Sequence, residues 1–329
     1  MGISASLGSS ALLPAGLGFR NVLINGDFKV WQRGTSKAMA TGGGAGFIAD
    51  RWTAARAAYA AGGTVSRQTA SLEGFQYCSR VQRDSGNTSA ALNYYFQTLE
   101  SVTSIPLANK PVVYSFYIRA GANFSGSIVA KLYSGTATDQ GNYPDNAITS
   151  SATVITSTLS LTTSWQRVTL FGNVGATATQ LFAGFEWTPS GTAGAADYYE
   201  ITGVQLEQNY QPTPFEQRPI GVELALCQRY FQQFTSTVGD NSFCTGVLYV
   251  TTLFLGALSW SPMRAAPIVS FSGSFNLVAA GLANSCTPGS GNITATSCQI
   301  SGTVTGYPAG NGGTMRMASG AFYSLNAEL

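Results

Sequence analysis

Short runs that alternate apolar and polar residues, broken every few positions by Gly, Asn, Asp or Pro, commit this chain to sheets. "TVSRQTAS" (64–71), "YCSRVQRD" (77–84), "ALNYYFQTLE" (91–100) and "KPVVYSFYIRAG" (110–121) follow one another in this way. "SGSIVAKLYSG" (125–135), two runs within "TVITSTLSLTTSWQRVTLFGNV" (153–174), "TQLFAGFEWTPSG" (179–191) and "DYYEITGVQLEQ" (197–208) continue the series. Alternation sends successive side chains to opposite faces of a strand, and β-branched and aromatic residues suit a pleated, half-buried surface. About eight to ten such strands without a helical period predict an all-β fold, a jelly-roll β-sandwich over residues 20–217. "NVLINGDFKVWQRG" (21–34) reads as its opening strand, with Phe28 and Val30 alternating against Lys29 and Trp31 after an Asn25-Gly26 turn.

Three prolines within "NYQPTPFEQRPIG" (209–221) close the sandwich. In "GVELALCQRYFQQF" (221–234), Val222, Leu226 and Tyr230 share a helical face, which predicts a one- to two-turn helix after Pro219 that merges into a strand near Tyr230. Further β-runs, among them "GVLYVTTLFLGALSW" (246–260), make residues 218–329 a second, smaller β-domain. Residues 1–19, rich in small residues, read as an extended N-terminal arm that anchors the chain to a larger assembly.

Composition narrows the chemistry. Charged residues are 10% of the 329 and the net charge is +2, with Lys and Arg scattered, so no nucleic-acid partner is expected. No run of about 18 apolar residues exists, so no membrane insertion is expected either. Met1–Gly18 lacks a basic start and a continuous apolar core, and no export signal is read there. Histidine is absent, which removes the commonest general base and zinc ligand. The five cysteines lack CxxC spacing and read as free buried thiols of a protein folded in a reducing cytosol, with a Cys286–Cys298 bridge left open.

"INGDFKVWQRG", "VVYSFYIRAG", "TTSWQRVTLFGNV" and "YYEITGVQLEQ", in that order, resemble the jelly rolls of carbohydrate-binding modules, the galactose-binding-like sandwiches. "TPFEQRPIGVELALCQRYFQ", with "SPMRAAPIVSFSG" and a terminal "NAEL", resembles fibre, spike and minor tail proteins of tailed bacteriophages. The resemblance covers residues 18–329. It implies a virion surface protein, on head or tail, made in the host cytoplasm and joined to other virion proteins through the arm. A homo-oligomer is expected, with a trimer the expected number, because apolar strips such as "GVLYVTTLFLGALSW" need cover.

The resemblance also directs attention to particular residues. Sugar rings stack their C–H faces on flat aromatic rings, which makes Trp31, Trp52, Tyr94, Tyr95 and Trp187 the candidates for binding host cell-surface polysaccharide. Trp165 and Trp260 read as structural. In the Tyr94-Tyr95 and Tyr198-Tyr199 pairs one ring must face inward and the other outward. Such sandwiches also hold a structural calcium, for which Asp27 and Glu207 are the candidate ligands. No cofactor beyond that ion is expected. Cleavage of a glycosidic bond needs two carboxylates. Asp27, Asp50, Glu186, Glu200 and Glu207 show no arrangement that singles out a pair, so a non-enzymatic protein is expected. A structural capsid or tail component without ligand is the alternative, and a polysaccharide depolymerase the third reading.

Overall fold

The computed structural model describes residues 19–39, 46–56, 62–141, 148–239 and 241–329. The expected N-terminal arm lies outside the described residues but for Phe19. Contacts divide the chain into two compact units that meet in sequence at Ile220 and Gly221.

The first unit is built from β1 (Ser36–Ala38), β2 (Gly46–Phe47), β3 (Thr53–Arg56), β4 (Gly63–Leu72), β5 (Phe75–Arg83) and β6 (Asn93–Thr98). A single helical turn, α1 (Ser101–Ser104), leads through a 3-10 turn to β7 (Pro111–Ala120) and β8 (Ser127–Gly135). β9 (Ala152–Leu159), β10 (Gln166–Asn173), β11 (Gln180–Thr188) and β12 (Tyr198–Gln208) complete it. Two six-stranded sheets result, in the orders β1-β4-β5-β12-β7-β10 and β2-β3-β6-β11-β8-β9. Strands that follow one another along the chain, such as β5 and β6 or β7 and β8, fall in opposite sheets, which is the jelly-roll arrangement expected from the sequence. The core lies between the sheets. Val81, Phe116 and Ile201 enter it from the first, and Ile128, Leu132 and Phe185 from the second, as alternation requires.

Residues 21–34 correct one expectation: they form turns and irregular chain rather than a strand. Asn25 and Phe28 both take positive φ, 57° and 55°. The Asn25 side chain replaces the ladder a strand would have used, its Nδ2 donating to Val30 O at 2.8 Å and its Oδ1 accepting the Val30 N–H at 3.0 Å. A Cβ on Gly26 would stand 2.1 Å from the Val204 carbonyl, so the position admits only glycine. The apparent period of two in "DFKVW" is a coincidence of this knot, in which Phe28 and Val30 are buried for tertiary reasons.

The segment after β12 returns to the start of the unit. Glu216 accepts the N–H groups of Arg20 and Asn21 at 3.0 and 3.1 Å. Arg218 donates to the carbonyls of Leu23, at 3.1 Å, and Asn21. "RNVL" (20–23) and "PFEQRP" (214–219) are thus two halves of one clamp.

The second unit opens with α2 (Ile220–Gln228), which begins after Pro219 and passes into β13 (Phe231–Thr235). β14 (Asn241–Val250), β15 (Leu253–Ser259), β16 (Ile268–Ser272), β17 (Phe275–Ala279) and β18 (Leu282–Ser285) follow. β19 (Thr287–Gly291), β20 (Ser297–Thr303), β21 (Gly312–Met317) and β22 (Phe322–Asn326) end the chain. They form a three-stranded sheet, β13-β22-β16, and a seven-stranded one, β18-β17-β21-β14-β15-β20-β19. Its separate core includes Phe254, Leu277, Ile300 and Met315. All five cysteines are buried and none is in a disulfide, Cys286 and Cys298 included. No helix among the described residues is long and apolar enough to cross a membrane.

Candidate binding face of the sandwich

The sandwich draws four of the five aromatic candidates into its interior. Trp52, Tyr95 and Trp187 have no exposed surface, and Trp31 keeps 8%. Trp52 packs against both Phe28 and Tyr95, with ring centroids 5.1 and 5.3 Å away. Trp187 stacks on Phe124 at 5.5 Å and meets Tyr199 edge-on at 5.6 Å. Each indole N–H is satisfied by a carbonyl: Trp31 by Phe28, Trp52 by Asn25 and Trp187 by Ser125. A ring enclosed on both faces offers nothing for a sugar to stack on. Trp31, Trp52, Tyr95 and Trp187 are therefore core residues, not glycan contacts, in this fold. The physical cause is the inward half of each strand's alternation and, for Trp31 and Trp52, the knot around Asn25.

Tyr94 is different. Tyr95 points inward and Tyr94, one residue earlier on β6, points to the outer face of the second sheet, where it is half-buried. Register places Tyr94 opposite Glu186 on β11, and Glu186 opposite Val129 on β8. One row along, Gly184 pairs with Phe96 and with Lys131, and Phe182 then pairs with Tyr133. A Cβ on Gly184 would stand 2.5 Å from the Phe96 Cβ, so the absence of a side chain there leaves room for Phe96. Ile148 closes one end of the face over Phe96 and Phe182, with Tyr94 and Tyr133 at the margin of this cluster.

An ammonium and a carboxylate meet beside the tyrosines. Lys131 Nζ lies 2.6 Å from Glu186 Oε2 and donates to the Tyr133 hydroxyl at 2.5 Å. Tyr133 donates in turn to Glu186 Oε1 at 3.3 Å. Burial works against the Lys131 charge, but the hydrogen bonds it donates to Glu186 and Tyr133 outweigh this and hold its pKa above the usual lysine value. The face thus carries two half-buried tyrosine rings flanking a fixed acceptor and a fixed donor. Period two in "KLY" already puts Lys131 and Tyr133 on one face; nothing in the sequence joins them to Glu186 or Tyr94, which register alone does.

The remaining acidic candidates are occupied elsewhere. Asp27 lies 2.5 Å from the Lys29 ammonium. Glu207 accepts Thr213 N–H at 2.9 Å, Thr213 Oγ1–H at 2.7 Å and an N–H of Gln205 at 3.0 Å. Among the described residues no group of three or more Asp, Glu, His or Cys could hold a metal. The expected calcium therefore does not fit Asp27 and Glu207: one faces a cation and the other has its oxygens engaged by donors. Asp50 accepts the Gln32 backbone and side-chain N–H groups at 2.6 and 2.7 Å and fixes the knot. Glu200, fully buried, is held between Arg80 and Arg119, each at 2.6 Å. Those guanidiniums stack on Tyr198 at 3.9 Å and on Trp165 at 4.8 Å, which gives Trp165 its structural place. Trp260 donates its indole N–H to Ala295 at 3.0 Å.

No family model matches the chain, and no curated protein is similar to it. Among solved structures, a putative sugar binding protein from Bacteroides thetaiotaomicron is 12% identical over 57% of this chain and all of its own, with a TM-score of 0.38. A CBM4 structure is 16% identical over 56% of this chain and 98% of its own, with a TM-score of 0.35. The CBM22-1 xylan-binding domain of Paenibacillus barcinonensis Xyn10C is 15% identical over 57% of this chain and 93% of its own, with a TM-score of 0.33. At these values the sandwich is defined by its own strand order and core.

Proposed function

We propose that the chain is a non-enzymatic surface component of a tailed-phage virion whose sandwich binds host polysaccharide on the Tyr94 face. The observation that carries the binding is the Tyr94, Glu186, Lys131 and Tyr133 constellation. A pyranose laid on a tyrosine ring buries its C–H face while its hydroxyls meet a carboxylate and an ammonium already held in place. The virion setting is supported by the residues of "PFEQRPIGVELALCQRYFQ" and their resemblance to phage fibre and spike proteins. The non-enzymatic reading is supported by Glu186 standing as the sole carboxylate among the strand residues of this face, paired with a lysine, whereas glycoside cleavage uses two acids.

Contacts of this kind are weak, on the order of millimolar for one copy, and gain from display in several copies, here as a homotrimer. The test compares host-cell adsorption and glycan-array binding of the purified chain with those of Tyr94→Ala. Binding that Tyr94→Ala weakens about tenfold is the expected result. A blank array and no adsorption would favour the second reading, a ligand-free structural component, which the burial of four aromatic candidates supports. Release of reducing sugar from host polysaccharide would overturn the non-enzymatic reading.

A further inference from the structure

The second unit contains an open groove of about 520 Å³, within the ~300–1,000 Å³ typical of small-ligand sites. Its wall is aromatic. Phe234 on β13 is 38% exposed and stacks on Tyr323 of β22, with centroids 4.7 Å apart and planes 17° from parallel. Tyr323 in turn lies 5.4 Å from Phe243 of β14. Phe243 reaches this place through an irregularity in the ladder: Ser242 pairs with Arg316 but Cys244 with Met315, so Phe243 is an extra residue. Such a bulge turns a side chain out of strict alternation, and bulges are enriched where chains build binding sites. Gln233, Asn241 and Ser242 supply amides and a hydroxyl at the groove, and among the described residues lining it none is charged.

We propose that this groove is a second saccharide site, specific for neutral sugars and independent of the Tyr94 face. The exposed Phe234 ring, backed by buried Tyr323 and half-buried Phe243 and with uncharged hydrogen-bonding groups beside it, matches the amphipathic surface of a neutral pyranose, which has apolar C–H faces and a girdle of hydroxyls. An anionic sugar would leave its charge without a cationic partner in the groove. An aliphatic ligand would leave the amides desolvated without partners.

Met317 lines the groove and gives a reporter. The chain has five methionines, of which Met39 belongs to the sandwich core and Met263, Met315 and Met317 itself to the core of the second unit, Met317 alone of these lining the groove. The full chain, labelled with ¹³C at the methionine methyls, is titrated with cellohexaose, maltohexaose and an oligogalacturonate. The Met317 signal, assigned by Met317→Leu, is expected to move with a neutral oligosaccharide and to stay still with the anionic one. Tyr94→Ala should leave that movement intact. Phe234→Ala should weaken it about tenfold, an ordinary loss for an aromatic contact. If the Met263 and Met315 signals show Phe234→Ala to be misfolded, Asn241→Ala serves in its place. A Met317 signal that is unmoved by both neutral sugars, or that moves equally with the anionic sugar, or whose movement disappears in Tyr94→Ala, would overturn the proposal. Movement at Met317 with a blank result for the Tyr94 face would uphold the groove and sink the sandwich reading.

Discussion

Arg83 and Asp197 form an ion pair with neither side chain exposed, Nη1 to Oδ2 at 2.7 Å. The pair ties β5 to the approach of β12. Asp197 also accepts the Ser125 N–H and Oγ–H, both at 2.9 Å, and Arg83 donates to the carbonyls of Asn87, Ser89 and Gly191. Removing one partner strands the other charge in the interior. Asp197→Ala should therefore destabilise the sandwich by about 3–5 kcal/mol. Urea unfolding followed by tryptophan emission reads this, since Trp31, Trp52, Trp165 and Trp187 all lie in the first unit.

Tyr114 gives the opposite sign. Its ring packs against Phe116 and Phe185 in the core, and its hydroxyl finds no hydrogen-bond partner. Burial pushes its pKa well above the usual tyrosine value. An unsatisfied buried polar group costs about 1–3 kcal/mol, so Tyr114→Phe should raise the urea midpoint at neutral pH by a stabilisation of that order.

Tyr94 and Trp187 separate binding from stability. Tyr94→Ala should reduce polysaccharide binding about tenfold while the melting temperature moves little, because the ring is half-buried at the margin of a small cluster. Trp187→Ala should cost about 3–5 kcal/mol of stability, as large core truncations do. Array binding and thermal melts of the two variants, measured side by side, check the contrast.

The buried thiols predict how stability depends on pH. Burial pushes Cys78 up to about 12 and Cys244 and Cys286 up to about 11, from an ordinary value of 9.0. Above pH 9 the unfolded chain loses thiol protons that the folded chain keeps, so the unfolded state binds fewer protons and stability falls as pH rises. Their contribution is complete below pH 9 and lost by about pH 11–12. Urea midpoints should be flat from pH 7 to 8.5 and decline from pH 9, and Cys78→Ala should make the decline of the sandwich shallower. Tyr95, Tyr114 and Tyr199, also raised by burial, add to the same slope from pH 10 upward.

The strands were legible wherever a run had its own turn signals: β5, β7, β8, β11 and β12 all lie within stretches whose alternation marks them. The knot at 21–34 was not, because Asn25 and Phe28 adopt positive φ in response to Val30, Asp50 and Trp52, contacts that no local period encodes. The two-faced reading of Tyr94-Tyr95 followed from the pleat, but which ring faces the core depends on the pairing of β6 with β3 and β11. The convergence of Lys131 with Glu186 depends on strand order. The groove beside Phe234 depends on a one-residue bulge at Phe243, which the sequence does not announce.

The clamp of Glu216 and Arg218 on residues 20–23 brings the entry and exit of the sandwich side by side. Tension applied along the chain through Phe19 and Pro219 would load these few hydrogen bonds in shear. The paired sheets would hang beside the line of force as a pennant hangs from its rope, keeping their shape and their exposed face under a pull that never passes through them.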